Sequence, residues 1–424
     1  MKKYCVFLLC WLMSCFAMAD GPFRAHRFDS FTVLKIDTSD VVFVGNSITD
    51  MHDWAQAFDH PHFLNRGVSG ALSSEILEHL DEVVKGHPKA IFLMIGTNDL
   101  GSGFTPEYVA GNVRLMVEKI QKMSPSTKIY LESILPSTVG IRTLEDEKRA
   151  NELIRQLASD YHVTYIDLWN PLFDICMNHT NTLDGLHLKA SGYKIWCDLI
   201  APYLDATCVY PANTIDEQDD AGLWGSWGMR ATYFSVLPVK NTDILFFGDE
   251  MVKCGEWAEL LQNNCVRNLG TGWGYDETID NIGITGAMAE AALNNPFSRE
   301  KSPKAIVVYT GTGNVNGNTP LDSVKIQYQN LLKKLKNYAP ESELYLLSLM
   351  PTETENEKIV VFNDFVRQWC EQTANAEYVD IFTPLSKQNR TNPDFFKGNY
   401  LYGKGYLKVT EVLHSAFSSA KKNK

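Results

Sequence analysis

Val41-Val42-Phe43-Val44-Gly45-Asn46-Ser47 is the stretch that decides how this chain is read. Four apolar residues, three of them β-branched, run straight into a glycine, an asparagine and a serine. A short apolar run bounded by turn residues marks a strand buried on both faces, as in a parallel sheet. Gly45 lets the backbone turn sharply where that strand ends. Ser47 is thereby delivered to the carboxyl edge of the sheet, where open α/β folds take their ligands. A serine in that place serves as a nucleophile once a base and an oxyanion site are supplied from elsewhere.

The chain has 424 residues, which implies two domains of about 150–200 residues each. Its hydrophobic fraction of 45% and charged fraction of 21% are those of a globular protein. A net charge of -12 argues against nucleic acid or an anionic membrane as the main partner. It leaves room for an acidic small molecule received by a local basic patch. At the N-terminus, Lys2 and Lys3 precede an apolar run from Tyr4 to Phe16, and Ala17-Met18-Ala19 offers a small-x-small cleavage site before Asp20. Residues 1–19 are therefore expected to be a signal peptide, and the protein to be exported, to the periplasm or beyond. The apolar run is too short for a transmembrane segment. A competing lipoprotein pattern, Leu12-Met13-Ser14-Cys15, would lipidate Cys15, but Met13 fits it poorly and cleavage after Ala19 is preferred. Beyond the leader lie Cys176, Cys197, Cys208, Cys254, Cys265 and Cys370, with no C-x-x-C pair and no histidine at zinc spacing. No metal site is expected from them. Export would permit disulfides, whose pairing the sequence leaves open.

The chain also contains itself twice. A shift of 203 residues lays Arg27–Gly67 on Arg230–Gly270 without a gap. Phe31, Val33 and Leu34 meet Phe234, Val236 and Leu237; Asp40 meets Asp243; Gly45 meets Gly248. Trp54-Ala55 meets Trp257-Ala258, and Asn65-x-Gly67 meets Asn268-x-Gly270. With a small insertion, Lys89-Ala90-Ile91 and Gly96-Thr97 meet Lys304-Ala305-Ile306 and Gly311-Thr312. Tyr165-x-Asp167, Pro171-Leu172 and Gly192-Tyr193 meet Tyr378-x-Asp380, Pro384-Leu385 and Gly405-Tyr406. Order kept over such a length is the mark of a tandem duplication.

In the first copy, strands are expected at Val41–Val44, Ala90–Ile95, Lys128–Ile134 and Val163–Leu168, with helices at Ser74–Val84, Pro106–Met123 and Leu144–Tyr161. In the second, strands are expected at Ile244–Phe247, Ala305–Tyr309, Glu343–Leu349 and Tyr378–Ile381. Such alternation builds a parallel sheet covered by helices on both faces. The expected domains are 20–205 and 229–424, joined by 206–228. Within the join, Asp216-Glu217-Gln218-Asp219-Asp220 reads as an exposed connection, and Leu223-Trp224-Gly225-Ser226-Trp227 as a segment packed on a domain.

Four short blocks of the first copy fall at strand ends: Gly45-Asn46-Ser47, Asn65-Arg66-Gly67-Val68-Ser69-Gly70, Gly96-Thr97-Asn98-Asp99 and Asp184-Gly185-Leu186-His187. The second reads as a loop whose two glycines let backbone amides approach a ligand. Singly, each block is more often a turn or a helix cap. Together and in this order, across residues 40–204, they resemble the GDSL esterases, also called SGNH hydrolases.

The resemblance implies two tandem flavodoxin-like three-layer α/β/α domains with parallel sheets, and a serine hydrolase that needs no metal and no organic cofactor. It assigns Ser47 as nucleophile, His187 as general base and Asp184 as the group orienting the imidazole. The Ser47 and Gly70 amides and the Asn98 side chain correspond to the oxyanion hole. One departure is Asn46, where the family usually has aspartate, at a position outside the family mechanism. The physics agrees: histidine suits proton transfer near neutrality, and an aspartate three residues before it can hold the ring's tautomer from the same loop. His52, His60 and His62 stand near Ser47 in sequence and are candidates for lining its pocket.

Carried through the repeat, Ser47 becomes Glu250, Asn98 becomes Gly313, Asp184 becomes Lys397 and His187 becomes Tyr400, while Gly70 falls at or near Trp273. Serine-hydrolase chemistry is gone from that copy. It reads as a packing partner, or as a crevice in which Trp273 and Tyr275 stack on sugar faces with Asp249, Glu250 and Asn314 as polar contacts. The resulting expectation is an exported esterase for short acyl groups, O-acetyl groups of glycans such as sialic acids foremost. The alternatives are a lysophospholipase or thioesterase, and a glycan-binding surface protein with a vestigial site. The sequence does not decide oligomeric state.

Overall fold

The computed structural model describes residues 21–137, 139–178, 182, 184–211, 226–272, 278–295, 298, 302–354 and 356–420. The proposed leader, Asp216–Asp220, Leu223–Gly225, Trp273 and Tyr275 lie outside them. The chain divides into two compact units, Met1–Asp216 and Glu217–Lys424.

The first unit holds a five-stranded sheet of β1 (Val41–Gly45), β2 (Phe63–Gly67), β3 (Ala90–Met94), β4 (Lys128–Glu132) and β5 (Thr164–Ile166). Their order is β2-β1-β3-β4-β5, all parallel. β1 and β3 are buried at every position, as an apolar run flanked on both faces requires. The second unit repeats this with β6 (Ile244–Gly248), β7 (Val266–Gly270), β8 (Ala305–Tyr309), β9 (Glu343–Leu347) and β10 (Ala376–Val379), in the order β7-β6-β8-β9-β10. These are two α/β domains with parallel sheets and flanking helices.

The helix Pro106–Met123 begins where Thr105 accepts the Tyr108 N–H and proline fills a first-turn position that needs no donor. It buries Val109, Val113, Met116, Val117 and Ile120 on one stripe. It packs against the helices Ser73–His79 and Leu144–Asp160. Among the described residues no helix is long and apolar enough to cross a membrane.

The sequence reading passed over one strand per unit. Asn65-Arg66-Gly67, taken for loop, closes β2, and Asn268-Leu269-Gly270 closes β7. Their composition hid them, because Asn65 and Arg66 break the apolar run. Asn65 Nδ2 gives its hydrogen bonds to the carbonyls of Thr49, Asp50 and His52, and Asn268 Nδ2 to those of Val252, Lys253 and Gly255. Every partner is displaced by the same 203 positions as the strands, so the duplication reaches individual hydrogen bonds. Gly67 and Gly270 are required there, since an added Cβ would stand 2.2 Å from the Asp50 or Lys253 backbone nitrogen. The expected helix Ser74–Val84 is in fact two pieces, Ser73–His79 and Asp81–Val84.

Beneath β1, Trp54 stacks on Phe43 at 4.1 Å and donates its indole N–H to the Thr49 carbonyl. Fully buried indoles leave cavities that neighbours cannot fill. Trp54→Ala is expected to destabilise the first unit by about 3–5 kcal/mol. A urea melt followed by tryptophan emission would read this as a lower midpoint, and an unmoved midpoint would contradict the packing described.

Candidate functional site

β1 ends at Gly45, whose added Cβ would meet Thr49 Oγ1 at 2.2 Å and the Met94 carbonyl at 2.5 Å. Asn46 follows in extended conformation, and its Oδ1 accepts the Ile48 N–H at 3.0 Å. That cap starts the short helix Ser47–Asp50 and leaves Ser47, buried, as its first residue. The cap role explains why asparagine serves where the family has aspartate: either side-chain oxygen can accept this bond.

His187 reaches Ser47 from 140 residues away, with Oγ and Nε2 2.8 Å apart. On the other side of the ring, Nδ1 meets Asp184 Oδ2 at 2.5 Å. Asp184 Oδ1 accepts the backbone N–H groups of Leu186 at 3.0 Å and His187 at 2.7 Å. The carboxylate accepts a proton-bearing Nδ1, which leaves Nε2 bare to accept from the Ser47 hydroxyl. Burial by itself would raise the Asp184 carboxyl. The His187 charge, its ring hydrogen bond and the two backbone donors more than offset this and hold it down at about 2. Asp184 is therefore ionised throughout the working range.

The loop owes its shape to Gly185, at φ +78°, whose N–H is accepted by Thr182 Oγ1 at 3.1 Å. The helix Ala190–Leu204 that follows is fastened to the Ser47 side, because the Tyr193 hydroxyl donates to the Ile48 carbonyl at 2.7 Å. His187 and Ser47 are thus held by connected elements.

The remaining blocks converge by the same means. Gly70 takes φ +78°, a left-handed conformation that glycine adopts without strain. Ser69, just before it, donates its hydroxyl to Asp50 Oδ2 at 2.5 Å, and Asp50 in turn faces Arg27 Nη2 at 3.4 Å. Asn98 lies in the helix Thr97–Gly101 after β3, and its Nδ2 donates to the Ala71 carbonyl at 3.0 Å. Nδ2 carries two N–H bonds, so one is tied to the neighbouring loop and the other remains for a bound group. Asp99 completes the clamp by accepting the backbone N–H and hydroxyl of Ser73. Sequence reading missed Asp50, Ser69 and Ser73. Their only signal was polarity within or beside the blocks, which many surface residues share.

Two of the three histidines considered for the pocket are elsewhere. His62 pairs with Asp40 Oδ1 at 2.7 Å just before β1, and His60 stacks on Phe63 at the start of β2. Both belong to the amino edge of the sheet, opposite Ser47; proximity in sequence misled because a strand separates them in space. His52 is buried and stacks on Tyr193 at 4.2 Å, a packing contact.

In the second unit Glu250 opens the helix Glu250–Cys254 where Ser47 opens its counterpart. The Asp249 carboxyl before it is fully buried, which pushes it well above the usual carboxylate range, and the Glu250 charge pushes the same way. Lys397 and Tyr400, at the places of Asp184 and His187, face each other across an antiparallel hairpin of Phe396–Lys397 and Tyr400–Leu401. A β-turn has replaced the loop that carries the acid–histidine pair. Gly272, one place before the counterpart of Gly70 in the repeat, also has a positive φ. Asn314, considered a ligand contact, instead donates to Asp280 Oδ1 at 2.9 Å and accepts from the Ile282 N–H at 3.3 Å. One N–H of its Nδ2 and its Oδ1 are thereby tied to neighbouring residues.

These features have relatives. The model of the GDSL-like Lipase/Acylhydrolase family matches residues 38–195 and again 246–414. The human platelet-activating factor acetylhydrolase IB subunit alpha1 is 30% identical over 183 residues, covering 41% of this chain and 77% of that protein. The rat alpha2 subunit is 29% identical over 190 residues, covering 42% of this chain and 82% of that protein. Among solved structures, one from Streptococcus pneumonia, named provisionally as a platelet activating factor, is 26% identical with a TM-score of 0.40, covering 48% of this chain and 99% of that one. The chain therefore belongs to the GDSL-like lipase/acylhydrolase family, whose members hydrolyse esters, and it carries the family's domain twice.

Proposed function

We propose that the first unit is a serine esterase that removes short acyl groups, acetyl foremost, from carbohydrate, O-acetylated sialic acid or polysaccharide included. The observation that carries this reading is the unbroken hydrogen-bond chain Ser47–His187–Asp184. His187 Nε2 takes the hydroxyl proton as Ser47 Oγ attacks the ester carbonyl, and the imidazolium is stabilised by Asp184. The oxyanion is received by the Ser47 and Gly70 amides and by Asn98 Nδ2. His187 returns its proton to the leaving alcohol, then activates the water that releases the acid and frees Ser47. The similarity to proteins named acetylhydrolases supports acetyl as the acyl group. The leader expected at residues 1–19 supports substrates outside the cytoplasm, where glycans are exposed.

The second unit is proposed to lack this chemistry, because glutamate, glycine, lysine and tyrosine stand at the four positions. Trp273, Tyr275 and Glu250 are proposed to contact glycan there.

Acetate release from O-acetylated sialic acid and from acetylated xylan, set beside chromogenic esters from acetyl to octanoyl, tests the substrate class. Activity should fall steeply as the acyl chain lengthens. Activity that grew with chain length would instead favour a lipolytic enzyme. Within the site, Asn98→Ala is expected to lower kcat by about 10²–10³-fold, equivalent to about 3–4 kcal/mol, with the larger share in kcat over KM. Glu250→Ala is expected to leave kcat unchanged. Steady-state kinetics on the acetyl ester would check both, and loss of turnover in folded Glu250→Ala would overturn the account of the second unit.

A further inference from the structure

Behind the Asp184–His187 loop lies a buried group that the mechanism above does not use. Glu147, in the helix Leu144–Asp160, is fully buried, and its Oε2 accepts the Ser137 backbone N–H at 3.1 Å. The Ser137 hydroxyl donates onward to the carbonyl of Gly185, inside the loop, at 2.9 Å. The Arg142 guanidinium is close enough to feel the charges of both Glu147 and Asp184, with no ion pair or hydrogen bond to either. It also lies against Gly101, where an added Cβ would stand 2.3 Å from Nη2, at the end of the helix that carries Asn98. The arginine therefore adjoins the helix that carries Asn98 and lies within the electrostatic reach of Asp184.

The second unit supplies an internal control. There Thr352 holds the place of Ser137, and its N–H is accepted at 2.9 Å by Asn356 Oδ1, a neutral side chain. Its hydroxyl turns to the same Asn356 oxygen at 3.1 Å instead of reaching forward to the hairpin. A hydrogen-bond acceptor is thus enough to hold that backbone turn. Among the described residues, a carboxyl accepts that N–H only in the copy with an acid–histidine loop, despite the cost of burying it.

We propose that Glu147 and Arg142 are positioning residues for ester hydrolysis, Glu147 balancing the Arg142 charge so that the Asp184 carboxylate is left to His187. The inference rests on the roles given above to Ser47, Asp184 and His187. Without the balance, the guanidinium draws on Asp184, the imidazolium is less stabilised, and His187 is a weaker proton acceptor during attack. The groups facing Glu147 are Arg142 and Ser137 from the preceding segment, Asp146 beside it, and Cys176 from the helix Trp169–Met177. Burial pushes the Glu147 carboxyl up to about 8, with Arg142 pulling the other way. The Cys176 thiol is pushed up to about 12 by burial and by Glu147, and stays neutral. As pH rises through about 8, Glu147 therefore gains its charge and the balance is made; as pH falls, it is lost.

The test compares kcat and KM for an acetyl ester at pH 6 and pH 9 in wild type, Glu147→Gln and Arg142→Met/Glu147→Gln, with Ser47→Ala as the blank. Glutamine keeps an acceptor for Ser137 and removes the charge. Glu147→Gln should match wild type at pH 6 and fall about tenfold in kcat at pH 9, with KM within about twofold. The double variant should recover most of that loss. If Glu147→Gln does not fold, Arg142→Met alone gives the same answer, because it should exceed wild type at pH 6 and equal it at pH 9. A variant-to-wild-type ratio that does not change with pH, or a double variant no better than the single, would overturn the proposal. Absence of Ser47-dependent turnover in wild type would instead remove the reading on which it rests.

Discussion

Ser47→Ala is expected to lower kcat by roughly 10⁶-fold while the first unit stays folded. The size follows from what is removed. Among the described residues, the hydroxyl on His187 Nε2 is that of Ser47, 2.8 Å away. Covalent catalysis and its general base are lost together, because residues acting as a unit fail together. What survives is binding and the oxyanion donors, which leave a residual rate over water of about 10³–10⁴-fold. The fold should tolerate the change, since Ser47 is held by its backbone in the capped helix and its hydroxyl points to His187. Unchanged circular dichroism beside absent turnover is the expected pair of results. Residual turnover near the wild-type level would place the nucleophile elsewhere.

The second large effect is at Asp184. Asp184→Asn is expected to lower kcat by about 10⁴-fold, because the amide can donate to Nδ1 and so favour the tautomer with its proton on Nε2. That tautomer points a proton at Ser47 and cannot accept one. A stability effect accompanies it, with a sign fixed by the depressed carboxyl. Asp184 goes from an ordinary 3.8 to about 2 on folding, so it stabilises the fold above pH 4 and the contribution is lost as pH falls toward 2. The contribution is about 2 kcal/mol at neutral pH. Asp184→Asn should therefore melt lower than wild type at pH 7, with the gap closing as pH approaches 2. A gap that widened on acidification would contradict the environment described for Asp184.

Much of this was legible in the sequence, for particular reasons. β1 and β3 announce themselves because both their faces are covered, which leaves only apolar residues to be read. The four blocks could be recognised because each sits at a chain reversal where few residue types are allowed. β2 and β7 were invisible because Asn65 and Asn268 spend their side chains on three carbonyls each, a demand that looks like a loop in sequence. The supports of the site were invisible for another reason. Asp50, Ser69, Ser137 and Glu147 meet partners brought in from other elements, and no local pattern encodes such encounters. His60 and His62 show the converse error, because closeness along the chain stood in for closeness in space until β2 placed them on the opposite edge.

The central claim is one covalent acyl-serine site per chain, at Ser47, in a molecule that carries the domain twice. The most direct test is to mix the full chain with a slowly deacylated chromogenic ester, measure the burst of released alcohol, and map the acylated peptide by mass spectrometry. The account predicts a burst of one equivalent per chain, with the acyl group on the peptide containing Ser47. A burst of two equivalents, or an acyl group found on the second unit, would contradict it.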